Sequence, residues 1–170
     1  RMTVFILKSA LNSIRREAAR FLIKETGGIL IGYWTKSGNI VVTHASGPGS
    51  KAYNGYFSFE IDVVYCQGYL DYIFDTTGGA LSYLGEWHTH PLGYGLNLSS
   101  TDSLNMHHIA MDKSYKCSAP VVILYRPKGS ISKKGELLKI FFHSGEDNKK
   151  LLSRVKIIEK IHGYVLPTLP

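Results

Sequence analysis

The chain has the length and composition of one compact globular domain: it has 170 residues, of which 44% are hydrophobic and 19% charged. This composition excludes disordered, collagen-like and coiled-coil proteins. No apolar run reaches the roughly 18 residues that span a bilayer, and the first residues lack the pattern of a secretory signal. We therefore expect a soluble, cytoplasmic protein in which residues 2–170 form a single domain.

The positive charge of the chain is concentrated near its C-terminus. The formal net charge is +7; residues 126–160 carry ten Lys or Arg against four acidic residues, whereas residues 27–112 carry two Lys against seven acidic residues. A basic segment can bind nucleic acid, but apolar residues interrupt this one, which is typical of a solvated surface. We therefore expect neither nucleic acid nor a membrane as a partner.

The chain begins with a predicted strand over residues 3–7, followed by an amphipathic helix. Ser9 is placed to cap this helix, and Gly27 and Gly28 are placed to end it. The apolar positions recur at helical spacing, at Leu11, Ile14, Ala18, Phe21 and Leu22. Two extended runs follow, over 29–34 and 40–44, and the turn residues between them predict a hairpin.

The rest of the chain alternates helices and strands. Asp62 is placed to cap a second helix that reaches Asp75. The pattern then predicts a strand over 81–90, a helix over 99–111, strands over 121–125 and 138–142, and a terminal helix over 148–162. Because hairpins and helices both occur, the expected fold class is α/β, with a mixed sheet and flanking helices.

Two histidines on the predicted strand 81–90 have the spacing of a metal chelate. His88 and His90 are two residues apart, so their side chains leave the same face of the strand. Beyond Pro91 and a glycine-rich loop, Ser99 and Asp102 lie three residues apart at a helix start and share one helical face. Two imidazoles and one carboxylate suit zinc and leave a fourth position for water, as in catalytic zinc sites.

A purely structural interpretation of these residues stays open. Histidine pairs at this spacing arise by chance, and a serine with an aspartate three residues later commonly caps a helix. The complete string His-x-His-Pro-x7-Ser-x2-Asp is much rarer, with a chance expectation on the order of 10⁻⁴ in a chain of this composition. The string therefore favours a metal site.

The string resembles the JAMM motif of the MPN+ (JAB-domain) zinc metallopeptidases, as His88-Thr89-His90-Pro91 followed after seven residues by Ser99-x-x-Asp102. The stretch Glu25-Thr26-Gly27-Gly28-Ile29-Leu30-Ile31-Gly32 is similar, in sequence and place, to the segment that carries the family's upstream glutamate. The resemblance extends from roughly Val4 to Tyr125. It implies the MPN/JAB fold, a cytidine-deaminase-like sandwich.

Three further segments, 46–49, 67–71 and 85–91, resemble the small bacterial JAMM proteins of CBASS-type anti-phage operons, which are encoded beside ubiquitin-like conjugation machinery. This resemblance implies a deconjugating peptidase that acts on a ubiquitin-like modifier or its conjugate, with the modifier's C-terminal tail extended in a groove. The conjugating-enzyme-like and nucleotidyltransferase proteins of the same operon are implied as further partners.

The resemblance also implies a role for each residue of the site. His88, His90 and Asp102 would hold Zn²⁺, Glu25 would act as general base, and the Ser99 hydroxyl would stabilise the oxyanion. Glu86 is a rival for the base, because residues 86, 88 and 90 share one strand face. The family pattern favours Glu25 and does not use the position of Glu86.

Other candidate residues have simpler explanations. His107 and His108 are adjacent on a helix and cannot both face one site, so we interpret them as surface or packing residues. His44 on a strand is interpreted as a hydrogen-bonded structural histidine. Cys66 and Cys117 are expected to be reduced thiols, and neither fits the Pro-Cys-x-x-Cys pattern of zinc deaminases.

Three alternatives to the deconjugase remain open. A JAMM peptidase that processes a sulfur-carrier protein or another small tail would use the same zinc site with different surrounding loops. A non-catalytic MPN scaffold would lack the ligands that are present here, and a nucleic-acid-binding protein has only the basic segment in its favour. Without a separate recognition segment, we expect specificity to lie in residues 46–58 and 92–98.

Overall fold

The structure is a computed structural model and describes residues 2–92, 95–130, 135–145, 149–152, 154–163 and 166–167. Its strands are β1 (Val4–Leu7), β2 (Gly27–Trp34), β3 (Ile40–Ala45), β4 (Tyr53–Asn54), β5 (Phe59–Glu60), β6 (Ser82–Thr89), β7 (Val121–Arg126), β8 (Leu137–His143), β9 (Lys149–Leu152) and β10 (Val155–Ile158). Its α-helices are α1 (Lys8–Ala19), α2 (Val63–Thr76) and α3 (Ser100–Met111), and Lys113–Tyr115 forms a short 3₁₀ turn.

The described strands form one large mixed sheet and one small sheet. The large sheet has the order β10-β1-β3-β2-β6-β7-β8-β9, and β4 pairs with β5 alone. Strand β1 runs parallel to both of its neighbours and β6 runs parallel to β7, whereas the other pairs are antiparallel. The expectation of an α/β fold with a mixed sheet is therefore confirmed.

Helices cover both faces of the large sheet. On one face, α1 contributes Leu11 and Ile14 to a buried cluster that also contains residues of β1, β3 and β7. On the other face, Ile73 of α2 and Met106 of α3 belong to two further clusters. The alternation along β2, with Leu30 in the first cluster and its neighbours in the second, follows from the two-residue period of a strand.

The predicted terminal helix over 148–162 is wrong. The described part of this segment forms two strands, because β9 pairs with β8 and β10 pairs in parallel with β1, from Val4 opposite Val155 to Leu7 opposite Ile158. These ladders provide backbone partners for β1 and β8. Val155 and Ile158 pack against the cluster beneath α1. The apolar spacing of this segment fits a helix or a strand, and its β-branched residues favour a strand once neighbouring strands are available for pairing.

The boundaries of the first helix also differ from the prediction. Helix α1 begins directly after Leu7, so Ser9 lies inside its first turn and makes no cap, and the helix ends at Ala19 rather than at the glycines. Gly27 and Gly28 instead begin β2. A Cβ atom at Gly27 would collide with the main chain of Trp87 and the ring of Phe59, so these glycines serve close strand packing.

The remaining predicted elements are confirmed within a few residues, whereas the small β4–β5 hairpin was not predicted. Asp62 caps α2 by accepting a hydrogen bond from the main-chain nitrogen of Tyr65. None of the helices in the described residues has the length and apolar character needed to cross a membrane. That residues 2–170 form a single domain stays a prediction.

Candidate metal centre

The end of strand β6 holds the two histidines in the interior of the sheet. Strand β6 lies between β2 and β7, with His88 opposite Gly27 on one side and Leu124 on the other. Beyond the end of the strand, the main-chain nitrogen of His90 donates to the carbonyl oxygen of Tyr125 at 3.3 Å. Backbone hydrogen bonds therefore fix the main chain of both histidines.

The start of helix α3 supplies the carboxylate through a reciprocal capping box. The Ser99 hydroxyl oxygen accepts from the main-chain nitrogen of Asp102 at 3.1 Å, and Asp102 Oδ2 accepts from the main-chain nitrogen of Ser99 at 2.8 Å. The structural interpretation of this pair is therefore correct as far as it goes. It does not exclude a metal site, since the cap holds the carboxylate in one orientation beside the histidines.

His88, His90 and Asp102 converge on one point. Their potential ligand atoms all lie within 4.8 Å of one another. His88 Nε2 is 3.0 Å from His90 Nε2 and 3.2 Å from Asp102 Oδ1, and His90 Nε2 is 3.9 Å from Asp102 Oδ2. Ligand atoms about 2.0–2.1 Å from a tetrahedral ion lie about 3.3 Å from each other. The observed separations are close to those that one shared ion requires.

The electrostatics of the cluster keep Asp102 ionised and His90 neutral. Burial alone would raise the pKa of Asp102, but the hydrogen bond and charge of His88, together with two hydrogen bonds from Ser99, lower it to about 2. Burial and the neighbouring His88 lower the pKa of His90. A carboxylate and a neutral imidazole are the protonation states that bind a divalent cation.

Glu25 lies beside this cluster in the segment that leads into β2. Thr26 and Thr89 tie that segment to the histidine strand, because the main-chain nitrogen of Thr89 donates to the Thr26 carbonyl at 2.8 Å. Burial raises the pKa of Glu25 from its ordinary value of 4.5 to about 7, an effect that His88 opposes and Asp102 reinforces. Its carboxyl group can therefore take up or release a proton near neutral pH.

Glu86 occupies the neighbouring position on the same strand face, but its surroundings differ. Asn105 of α3 donates a side-chain hydrogen bond to Glu86 Oε2 at 3.0 Å. Burial raises the pKa of Glu86, while His88 and this hydrogen bond lower it. Glu86 also lines a cleft between α2 and the 3₁₀ turn. The structure thus places both carboxyl groups near the cluster, in different environments.

Two asparagines near the site were missed by the sequence reasoning. Asn105 lies three residues after Asp102 and so shares its helical face, a spacing that could have identified it. Asn54 lies in the unpredicted β4–β5 hairpin and donates to the main-chain oxygen of Glu25. Nothing in the local sequence signals that contact, because it joins segments 29 residues apart.

The other histidines lie outside the cluster, as expected. His44 is hydrogen-bonded through both ring nitrogens, to Thr43 and to the Pro167 carbonyl. The exposed His108 contacts Tyr115, and the rings of His107 and His143 lie 5.7 Å apart. Both cysteines are free thiols.

Several known proteins are similar to this chain. A protein from Sinorhizobium fredii named probable metalloprotease y4qB is 31% identical over 121 residues, which cover 71% of this chain and 74% of the relative. A CD-NTase/cGAS isopeptidase from Enterobacter hormaechei is 31% identical over 76% of this chain and 72% of its own length. A protein of the same name from Escherichia coli is 36% identical over 48% of this chain and 50% of its own length.

The fold is also known from a solved structure. The solution structure of protein DSY2949 from Desulfitobacterium hafniense has a TM-score of 0.63 and covers 94% of this chain and 96% of its own, at 15% sequence identity. At that identity the likeness concerns the fold alone. No protein-family model matches the chain.

The fold, the cluster and the relatives together define the class of protein. The chain belongs to the family of JAMM-like metallopeptidases, with relatives named metalloprotease and isopeptidase that align over more than two thirds of its length. Family membership and the His88, His90 and Asp102 cluster both indicate that the protein binds a metal ion.

Proposed function

We propose that the protein is a zinc-dependent isopeptidase that cleaves after the C-terminal tail of a ubiquitin-like modifier, acting on the modifier or its conjugate in the cytoplasm of a bacterium. The observation that carries the proposal is the convergence of His88, His90 and Asp102 beside a buried Glu25 whose pKa is about 7. The relatives named CD-NTase/cGAS isopeptidase support a role that opposes or primes conjugation in anti-phage defence.

The donor set fits zinc. Two imidazole nitrogens and one carboxylate oxygen, at the separations found here, match catalytic zinc sites, which keep a fourth position open. The chemistry that zinc supplies when bound is Lewis acidity, which makes water acidic enough to attack a carbonyl near neutral pH. His88, His90 and Asp102 would hold the ion, and the capping box with Ser99 would keep the Asp102 carboxylate oriented towards it.

Glu25 would transfer the proton that this reaction has to move. A general base that takes a proton from water and passes it to the leaving amine works best when its pKa lies near the operating pH. Burial gives Glu25 such a pKa. Its main chain is held in place, since its nitrogen donates to the Gly55 carbonyl at 2.7 Å. The carboxylate would therefore hold and release the proton beside the metal centre.

Ser99 would stabilise the oxyanion that forms when the carbonyl is attacked. Its hydroxyl oxygen accepts the hydrogen bond that caps α3, and its hydroxyl proton, which also stabilises the Asp102 carboxylate, would be donated to the oxyanion when that group forms. The residue is exposed at the helix N-terminus, where the helix dipole also favours developing negative charge.

The modifier's tail would lie along the β4–β5 hairpin. Strand β6, which carries His88, is paired on both sides and cannot accept another strand. Strands β4 and β5 pair only with each other in the described chain, so an added strand would extend this small sheet. This hairpin contacts Glu25 through Gly55, which would bring an added tail close to the metal centre.

The test is cleavage of a ubiquitin-like protein from the gene neighbourhood, fused through its tail to a reporter. Zinc-loaded protein should cut at the tail, and both chelation and Glu25→Gln should abolish the cut. An Asp75→Asn variant, which removes an exposed carboxylate on α2, should cut as fast as the unaltered protein. Stoichiometric zinc without cleavage of this fusion would contradict the proposed substrate class and favour processing of a sulfur-carrier protein or another small tail.

A further inference from the structure

A cleft of about 370 Å³ lies between α2, β6 and the 3₁₀ turn, and its lining includes Glu86, which is two residues before His88 on β6. Its walls are partly apolar, through side chains that include Ile29, Ile61 and Leu70. Its polar lining includes Tyr83, Glu86 and Asp112, and no lysine or arginine is among its lining residues. The cleft therefore combines apolar walls with two acidic side chains.

The wall of the cleft contains a polar group that is unpaired in the described chain, the hydroxyl of Tyr83. Tyr83 is only 9% exposed, and its hydroxyl oxygen is buried with no hydrogen-bond partner among the described residues. More than nine in ten buried polar groups in proteins have a partner, so such a group calls for an explanation. Because this oxygen has almost no accessible surface, a ligand in the cleft would become its partner only after a small movement of the side chain.

The acidic side chain of Glu86 indicates that the ligand is positively charged. Asn105 contacts only one of its carboxylate oxygens, Oε2, so the group can accept further hydrogen bonds. Asp112 adds a second acidic side chain at the exposed rim of the cleft. Phosphates and carboxylates would be repelled here, whereas a group with several donors and a positive charge would be attracted.

The combination of apolar walls with an acidic, hydrogen-bond-accepting lining fits a long side chain with a cationic head. Lysine and arginine pack their methylene groups along apolar surfaces while the head group pairs with a carboxylate. We propose that this cleft binds an arginine or lysine side chain of the protein substrate, with Glu86 as the specificity-determining residue. This inference rests on the proposed peptidase function and adds a substrate preference to it.

The position of the cleft limits where that residue lies in the substrate. Glu86 and His88 are two residues apart on one face of β6, which separates them by about 7 Å along the strand. An extended peptide advances about 3.3 Å per residue. The cationic residue should therefore lie within a few positions of the bond that is cut.

The experiment is an arginine scan in short peptides. Fluorescein-labelled glycine-serine peptides carry arginine, or norleucine as the uncharged control, at each position in turn. Their binding to the zinc-loaded protein is measured by anisotropy in a Glu25→Gln background, which prevents turnover. At one or two positions arginine should bind about ten-fold tighter than norleucine, as expected for a charged hydrogen bond.

Two variants of the cleft and one matched control test the assignment. Glu86→Gln should abolish the preference for arginine, and Tyr83→Phe, which keeps the ring and the packing, should reduce it about three-fold. Asp75→Asn removes a carboxylate outside the cleft and should leave the preference intact. A preference that survives Glu86→Gln in a folded variant, or no preference at any position, would overturn the proposal.

Cleavage assays with protein that retains Glu25 show whether the cleft assignment and the proposed peptidase function stand or fall separately. Peptides or fusions that are cut equally fast with arginine and with norleucine would refute the cleft assignment and leave the peptidase intact. An arginine preference in binding that depends on Glu86, without cleavage of any substrate, would support the cleft and refute the peptidase.

Discussion

The side-chain amide of Asn54 donates a hydrogen bond to the main-chain oxygen of Glu25 at 3.0 Å. The next residue of the hairpin, Gly55, accepts from the main-chain nitrogen of Glu25 at 2.7 Å. The β4–β5 hairpin therefore holds both sides of the residue that we propose as the general base. It links the surface where a substrate tail would bind to the group that would move the proton.

Removal of the Asn54 amide should slow catalysis without emptying the metal site. Asn54→Ala loses one hydrogen bond that positions Glu25, which is equivalent to about 0.5–1.5 kcal/mol and therefore to a fall in kcat of about two- to ten-fold. Zinc content should stay near one equivalent, because none of the proposed ligands is touched. Steady-state kinetics and metal analysis of the purified variant measure both effects.

The matched control is Ser58→Ala, which alters an exposed side chain of the same hairpin and should leave kcat unchanged. If Asn54→Ala altered only KM, the hairpin would act in substrate binding and not in positioning Glu25.

Ser99 caps α3 and is also the proposed donor to the oxyanion. Ser99→Ala removes the cap on α3, at a cost of about 1 kcal/mol of unfolding free energy, and also removes the proposed oxyanion donor. Ser99→Thr keeps a capping hydroxyl and should restore both stability and most of the turnover. Measurements of Tm, zinc content and kcat for the two variants should show that Ser99→Ala retains zinc but turns over more slowly.

Zinc should stabilise the folded chain through Asp102 and the two histidines. An ion that binds only the folded state at a concentration one hundred times its Kd adds about 2.7 kcal/mol, which raises the Tm by several degrees in a protein of this size. Asp102→Ala should abolish the shift, whereas His108→Ala, at an exposed histidine outside the cluster, should preserve it. A full shift in Asp102→Ala would exclude this site.

The metal cluster was predictable because its ligands lie in two short stretches whose spacing fixes their geometry. His88 and His90 share a strand face because of the two-residue period of a strand, whereas the resemblance to the JAMM motif predicted that Asp102 at the helix start joins them. The strands β9 and β10 were not predictable, because their pairing with β8 and β1 depends on partners far along the chain. The β4–β5 hairpin has only two residues in each strand and leaves no periodic signal.

A salt bridge between α1 and Glu136, the residue before β8, should make the stability depend on pH. Arg15 contacts both carboxylate oxygens of Glu136, at 2.6 and 3.0 Å, and the Tyr125 hydroxyl donates to Glu136 at 2.7 Å. The hydrogen bond from Arg15 is the main cause of the lowered pKa of Glu136. A lowered pKa in the folded state adds stability above the ordinary pKa of glutamate, and this stability is lost as the pH falls through the folded value.

Glu136→Gln should therefore lower the free energy of unfolding near pH 7 by about 0.5 kcal/mol, because the pair is partly exposed. The difference from the unaltered protein should shrink below pH 4, where glutamate becomes protonated. Urea unfolding at both pH values measures this. Glu159→Gln breaks the more exposed pair with Lys8 and should have a smaller effect, so equal losses in the two variants would contradict the prediction.

Gly27 couples the packing of the sheet to the metal centre, since it lies opposite His88 in the β2–β6 ladder. A methyl group there would collide with the Trp87 main chain and the Phe59 ring. Gly27→Ala should therefore lower the free energy of unfolding by about 1–3 kcal/mol and weaken zinc binding by displacing His88. Gly68→Ala on α2, where a methyl group meets no atom within 4 Å, should instead stabilise the chain by about 0.5–1 kcal/mol. Urea unfolding and zinc titration compare the two variants, and unaltered zinc affinity in a destabilised Gly27→Ala would show that packing and metal binding are independent.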